Sequence, residues 1–384
     1  MFFLALLGCS KTEQLNPVTN ADKTKQNTAR VEEKKPFLLR YENLHPQVKE
    51  SFVYYDAENE FLHFSDYLIF DKVRTELMNK DKETLVKWES QFEGFTSLKS
   101  IYDKAIEAQV KEVTSLSLQA AAEIAKNNDK KVFYAPLVNA NKDKFIFEEN
   151  GSFKMDIAFD EIASLVNGEG ILRISGDIYL YKKNAIRILK KGDITQIPNL
   201  KKANKSDDKD IVVLPITASV SNISNGRTES TCGQLQNNYT LNVSISWCSG
   251  NFRSWIDRVN YSTPIYDYTN VIGTQCFLGI CGPMYALIGY TNSTRLTAGC
   301  DTKAKWLCLI ECLYSQWRQT ITGSLNVNGS PISINRVNGD GGVSSTSFVI
   351  YDSAPANFSG SFINFTTIGT SIGTPILINY DCVP

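Results

Sequence analysis

The chain has 384 residues, 42% of them hydrophobic and 21% charged, with a formal net charge of −1. That length supports two domains with buried cores, and the charge balance excludes a general nucleic-acid binder, which needs a basic excess to neutralise phosphates. No apolar run reaches the about 18 residues of a membrane-spanning helix, so no helix is expected to cross a bilayer.

Residues 1–210 carry 32 Lys+Arg and 33 Asp+Glu, whereas residues 211–384 carry only 8 of each. One cysteine precedes that cut and eight follow it. Two such different alphabets are expected to form two domains, an α+β module over 37–200 and a Cys-rich β domain over 211–384. The polar stretch 201–210 is the expected linker.

Met1-Phe-Phe-Leu-Ala-Leu-Leu-Gly-Cys9 is an apolar run ending in a small residue and a cysteine, placed where a secretory signal would sit. Leu6-Leu7-Gly8-Cys9 resembles the lipobox of bacterial lipoproteins. The resemblance implies cleavage before Cys9 and acylation of that residue, with the bilayer as a partner and the outer membrane of a cell envelope, on its surface or periplasmic face, as the location. Two or more acyl chains make such attachment stable. The basic n-region is missing, so residues 1–9 read as the truncated end of a signal. Residues 10–36 contain one leucine, two valines and no aromatics. Such a segment buries too little apolar area to offset its ordering entropy and is expected to be a flexible tether.

In the charged half, Phe61–Phe64 reads as a strand and Ser65 as the N-cap of a helix reaching Asn79. A second helix is expected over Lys82–Phe92. A third, capped by Thr96 or Ser97, carries Leu98, Ile101, Tyr102, Ala105 and Ile106 at helical spacing toward Asn127. Strands are expected at 132–134, Phe145–Phe147, Ile171–Ile174 and Asp177–Tyr181, with a short helix over Phe159–Val166 closed by an Asn167-Gly168 turn. Trp88-Glu89 with Phe95-Thr-Ser-Leu98, and Ile162-Ala-Ser-Leu-Val-Asn167 with Gly168-Glu-Gly-Ile-Leu-Arg-Ile174 and Asp177-Ile-Tyr179, resemble an α+β module near the N-terminus of many exported Bacteroidota lipoproteins of unknown function. That resemblance covers roughly residues 60–190 and implies no active site. His45 and His63 have no Cys, His or paired carboxylate at ligand spacing, and no phosphate-binding glycine loop occurs.

The second half holds 39 Ser+Thr, 16 Asn and 16 Gly in 174 residues, a composition of strands and turns. Thr240–Trp247 alternates, and Gly323–Val327 and Pro331–Ile334 flank Asn328-Gly329, a hairpin signal. Val343–Tyr351, Phe358–Thr366 and Thr374–Tyr380 continue the series, which predicts an antiparallel, sandwich-like domain. One helix is expected over Thr302–Arg318 with Asp301 as its N-cap.

The eight cysteines, Cys232, Cys248, Cys276, Cys281, Cys300, Cys308, Cys312 and Cys382, form an even set in one exported domain and read as up to four disulfides. The half contains no histidine and no Cys-x2-Cys, which disfavours zinc and removes the base a cysteine nucleophile needs. No cofactor or metal is expected and no catalytic residue is assigned. Tyr261, Tyr266 and Tyr268 are expected on an exposed loop as ligand-contact aromatics. Asp352-Ser353-Ala354 resembles the short O-glycosylation motif of Bacteroidota exported proteins, which makes Ser353 a modification candidate. The functional expectation is a lipid-anchored protein whose β domain binds a glycan or protein ligand. A carboxylate-dependent glycan hydrolase and a structural envelope protein are the alternatives.

Overall fold

The computed structural model describes residues 38–42, 44–48, 50–114, 134–147, 153–206, 210–218, 235–241, 250–277, 280–304, 317–338, 345–368, 371–372 and 376–382. The expectations on Cys9 and on residues 10–36 lie outside them.

The first part begins with β1 (Leu38–Tyr41), β2 (Ser51–Asp56) and β3 (Phe61–Phe64), followed by α1 (Tyr67–Leu77), α2 (Lys82–Glu89) and α3 (Leu98–Thr114). Then come α4 (Pro136–Ala140), the small hairpin of β4 (Phe145–Phe147) and β5 (Phe153–Met155), and the one-turn α5 (Asp160–Ala163). The part continues through β6 (Ile171–Ile174), β7 (Asp177–Tyr181), β8 (Ala185–Leu189), α6 (Ile197–Lys202) and β9 (Ile211–Pro215).

The larger sheet has the order β1-β2-β3-β6-β7-β8-β9, with β3 and β6 parallel and the other neighbours antiparallel. A parallel neighbour needs a crossover, and α1 to α5 supply it. They bury Ile69, Phe70, Val73, Leu77, Trp88, Leu98 and Ala105 with Val53, Leu62, Phe64, Leu172 and Ile188 of the sheet. The other face packs Phe61, Ile171, Ile178, Leu180 and Leu189 with Leu200 of α6. β9 follows directly on the stretch expected to be a linker, and it is an edge strand of this first sheet.

The expected helix is present as α1, which buries Ile69, Phe70, Val73 and Leu77, but its cap is Asp66 rather than Ser65. Asp66 Oδ1 accepts the Ile69 N–H at 3.0 Å, while the Ser65 and Ser51 hydroxyls donate to Asp66 Oδ2 at 2.7 and 2.9 Å. A carboxylate beside two serines is the stronger acceptor for an orphan helix N–H. Ser97 Oγ accepts the Ser100 N–H at 3.1 Å at the start of α3, and residues 115–133, including two of the expected strand 132–134, lie outside the described set.

The second part is all strand where described: β10 (Thr217–Ala218), β11 (Leu235–Leu241), β12 (Gly250–Phe277), β13 (Ile280–Ala304), β14 (Trp317–Val327), β15 (Ser330–Asn338), β16 (Ser345–Ser353), β17 (Phe358–Ile368), β18 (Ser371–Ile372) and β19 (Ile376–Cys382). One antiparallel sheet has the order β10-β12-β13-β16, with β11 also on β12. The other has β15-β14-β17-β18, with β19 also on β17. Leu296, Ala298 and Phe348 from the first face Ile321, Leu325, Ile334, Phe358 and Phe362 from the second in one buried cluster, which is sandwich packing. The expected hairpin turn is present, with Asn328 at φ 50° and Gly329 at φ 85°, the left-handed pair that a type I′ turn requires.

The expected helix over Thr302–Arg318 is corrected at both ends. Asp301 to Ala304 pair with Arg253 to Gly250 of β12, and Trp317 and Arg318 pair with β17. Ladder hydrogen bonds to neighbouring strands outweigh local helical spacing there. Residues 305–316 lie outside the described set.

Gly323 has φ +152°, and a Cβ there would stand 2.4 Å from the Ser361 carbonyl oxygen and 2.5 Å from Phe362 Cα. Gly289 would meet nothing within 4 Å. Gly323→Ala is therefore expected to cost about 3 kcal/mol from strain and overlap, and Gly289→Ala to stay within about 0.5 kcal/mol of the parent. Urea unfolding of the two variants measures the difference.

Candidate functional site

Three arrangements are chemically distinctive, and two of them lie where the second part meets the first. The strongest is a buried ion network. Arg74 near the end of α1 donates through Nη1 to Asp352 Oδ2 at 2.5 Å and to Glu161 Oε1 at 3.4 Å. Its Nε and Nη2 hold Asp71 Oδ1 at 3.2 and 2.8 Å. Arg295 of β13 lies opposite Asp352 of β16 in the ladder. Its Nη2 donates to Asp352 Oδ2 at 2.8 Å and to Glu161 Oε1, and its Nη1 reaches Glu161 Oε2 at 3.0 Å. The Tyr261 hydroxyl donates to Asp352 Oδ1. The side chains of Glu161, Arg295 and Asp352 are each 4% exposed, and the Arg295 guanidinium lies 4.2 Å from the Phe159 ring centre.

A pair of carboxylates is what the hydrolase alternative requires, so their state matters. Burial pushes the Asp352 carboxyl up, but Arg295 and Arg74 outweigh it and hold it at about 2. A general acid must keep its proton near working pH, and Asp352 does not. Both Glu161 oxygens are occupied by a bidentate arginine fork. This pair joins chain segments; it supplies neither an acid nor a free nucleophile.

The second arrangement sits where β12 and β13 meet β7. Tyr266 Oη donates to Asp177 Oδ2 at 3.1 Å and lies 2.5 Å from Tyr179 Oη. Asp177 Oδ1 accepts the Lys191 N–H at 2.9 Å, and burial raises the Asp177 carboxyl against both bonds. The Tyr285 N–H donates to Ser175 Oγ at 3.0 Å. Gly176, at φ +91°, lets Met284 approach so closely that a Cβ would stand 2.4 Å from its methyl carbon. Val48, Tyr266 and Tyr285 form a small buried cluster with Tyr67, Leu68, Tyr268 and Leu287 around it.

Tyr261, Tyr266 and Tyr268 therefore correct the expectation of an exposed loop. All three lie in β12; Tyr261 and Tyr266 are buried and Tyr268 is partly buried. Each ring completes a core that the charged half leaves open: Tyr261 packs on Phe159, Tyr266 on Tyr67, and Tyr268 on Tyr285 and His45. His63 is buried on β3 and hydrogen-bonded to the Tyr54 hydroxyl. Burial, with Arg173 adding to it, lowers its pKa well below the usual histidine range and keeps it neutral.

The third arrangement is a two-stranded ribbon, Tyr261–Phe277 paired with Ile280–Ser293. One disulfide, Cys276–Cys281, closes it with a Cα–Cα distance of 4.0 Å. Cys300 and Cys382 lie in β13 and β19, and Cys232, Cys248, Cys308 and Cys312 fall outside the described residues. Ile265, Val271, Ile272, Ile288 and Tyr290 are exposed on the ribbon, five of the ten large hydrophobics exposed among the described residues. Register shifts mark the same places: Ile288 is the extra residue opposite the Ile265–Tyr266 step, and Ile272 the extra residue before Gly273. Between Tyr261 and Ser293 the only charged side chain is Asp267. Sequence periodicity misses this ribbon because its bulges break the alternation; the low charge of the segment is the signal that marks it. Ser353 is exposed at the end of β16, beside the buried Asp352 carboxylate.

Arg295→Met strands two buried carboxylates, and its expected cost is about 3–5 kcal/mol. The folded carboxyl of Asp352 lies below its unfolded range, so its stabilisation is complete above about pH 5 and fades as pH falls toward 2, about 2 kcal/mol in all. Asp352→Asn should flatten that acid limb in a pH series of urea unfolding curves. An unchanged limb would remove Asp352 as its cause.

No family model and no curated protein matches the chain. Among solved structures, a DUF4848 family protein from Bacteroides thetaiotaomicron aligns with 85% of this chain and 100% of its own, at 8% identity and a TM-score of 0.29.

Proposed function

We propose that this chain is an envelope lipoprotein, held to the outer membrane by an acylated Cys9 through the 10–36 tether, whose β-rich part binds a protein ligand. The observation that carries the binding reading is the ribbon: five exposed aliphatic or aromatic side chains with one charge among 33 residues. Apolar surface concentrated in that way is the usual mark of an interaction site. Protein is favoured over glycan because the exposed groups are mainly Ile and Val, while the three tyrosines that would stack on sugar rings are taken by the core. The supports for anchoring are the Leu6-Leu7-Gly8-Cys9 motif and the apolar-poor segment behind it.

Mass spectrometry of the native protein should find an acylated Cys9 at its N-terminus; an unmodified Cys9 within an intact chain would contradict anchoring. For binding, a photo-crosslinker at Thr291 of the full chain should capture one envelope protein saturably. Ile265→Asp with Ile288→Asp should weaken that capture about tenfold or more. Capture unaffected by the two aspartates, or competed by polysaccharide, would contradict a protein ligand on the ribbon.

A further inference from the structure

Among the described residues, the β13 edge of its sheet is left open past the end of β16, and this open stretch forms a slot beside β13. β16 lies beside β13 from Asp301 to Thr294, where Ser353 is its last paired residue. Further along β13, the Tyr285 N–H is given to Ser175 Oγ of the β6–β7 turn. Between these two points, among the described residues, Ala286–Ser293 pair with β12 on one side and with no strand on the other. Eight residues at about 3.3 Å each make a slot about 26 Å long, the length of an ordinary strand. Its ends are set by the protein's own elements.

The slot is uncharged: Ala-Leu-Ile-Gly-Tyr-Thr-Asn-Ser contains no Asp, Glu, Lys, Arg or His. Ile288 is 63% exposed and Tyr290 36%, and the space over Gly289 is open. The opposite edge of the ribbon is guarded. Pro264 offers no N–H there, and the Thr269 N–H and hydroxyl fold back onto Asp267 Oδ1 at 2.9 and 2.6 Å. The β13 edge has no proline between Tyr285 and Thr294, and an unguarded edge of that length is a template for another strand.

We propose that this slot is a strand-addition site: an extended segment of a partner protein pairs antiparallel with Ala286–Ser293, in line with β16. Main-chain hydrogen bonds on either side of the Ile288 bulge hold the segment, and alternate side chains of it cover Ile288 and Tyr290. The uncharged slot selects an uncharged, β-branched segment, since a charge buried against Ile288 would lose its water without a counter-ion. The proposal rests on the protein-binding reading above and adds the form of the ligand.

The probe is a random dodecapeptide library displayed on phage and selected on the full chain, with the enriched peptide then made synthetically. The expected peptide is uncharged and rich in Val, Ile and Thr, and it slows amide exchange of Ala286–Ser293 about tenfold or more. Ile288→Lys should weaken it about tenfold or more, whereas Val337→Lys, at an equally open site on β15, should leave it unchanged. Enriched peptides that protect other amides, that are charged, or that ignore Ile288→Lys would overturn strand addition, as would a selection that enriches nothing. If strand addition fails while the crosslinked partner of Thr291 still depends on Ile265 and Ile288, the protein-binding reading survives. Loss of both removes both.

Discussion

Four buried charges decide how the two parts of this protein meet. Arg74 and Glu161 come from helices of the first part, Arg295 and Asp352 from neighbouring strands of the second. Removing such groups from water costs several kcal/mol per ion, and only close, well-directed partners offset it. Here two guanidinium groups share two carboxylates, and the Tyr261 hydroxyl takes one of the oxygens that remain. These bonds join α1 and α5 of the first part to β13 and β16 of the second. Breaking the network by removing one partner would leave a buried charge uncompensated.

That junction explains what the long hairpin does. From Tyr261 outward, β12 and β13 leave their own sandwich and run onto the first part, where Tyr266, Tyr285 and Met284 are received by Asp177, Ser175 and Gly176. With one side of the ribbon so anchored, Ile265, Ile288 and Tyr290 remain exposed on it. A ribbon of two strands is marginally stable in water by itself; resting on the first sheet, and closed by the Cys276–Cys281 disulfide, it presents those side chains in a fixed setting. A preformed surface loses less entropy on binding than a flexible one.

Much of the fold was legible where local rules and tertiary demands agree. The apolar stripe of α3, where Leu98, Tyr102, Ala105 and Ile106 are buried, the Asn167 turn whose Oδ1 accepts the Glu169 and Ile171 N–H groups, and the Asn328-Gly329 hairpin follow from spacing and turn chemistry. The ribbon was not legible. Its buried residues, Tyr261, Pro264 and Tyr266, do not keep a period of two, and register shifts interrupt its ladder. The same tyrosines therefore looked like a polar, aromatic loop. The ion network was hidden for a different reason: Arg74 and Asp352 are 278 residues apart, and no spacing rule connects them. Asp301 illustrates a third case, a sound helix cap by local chemistry that strand pairing with Arg253 overrules.

The charged part and the β-rich part share one fold through this buried seam. Differential scanning calorimetry of the full chain, with its disulfides intact, tests it most directly. One cooperative transition, in which the calorimetric and van't Hoff enthalpies agree, is the predicted result. Two separable transitions, with the β-rich part keeping its own midpoint after the first part has melted, would contradict it.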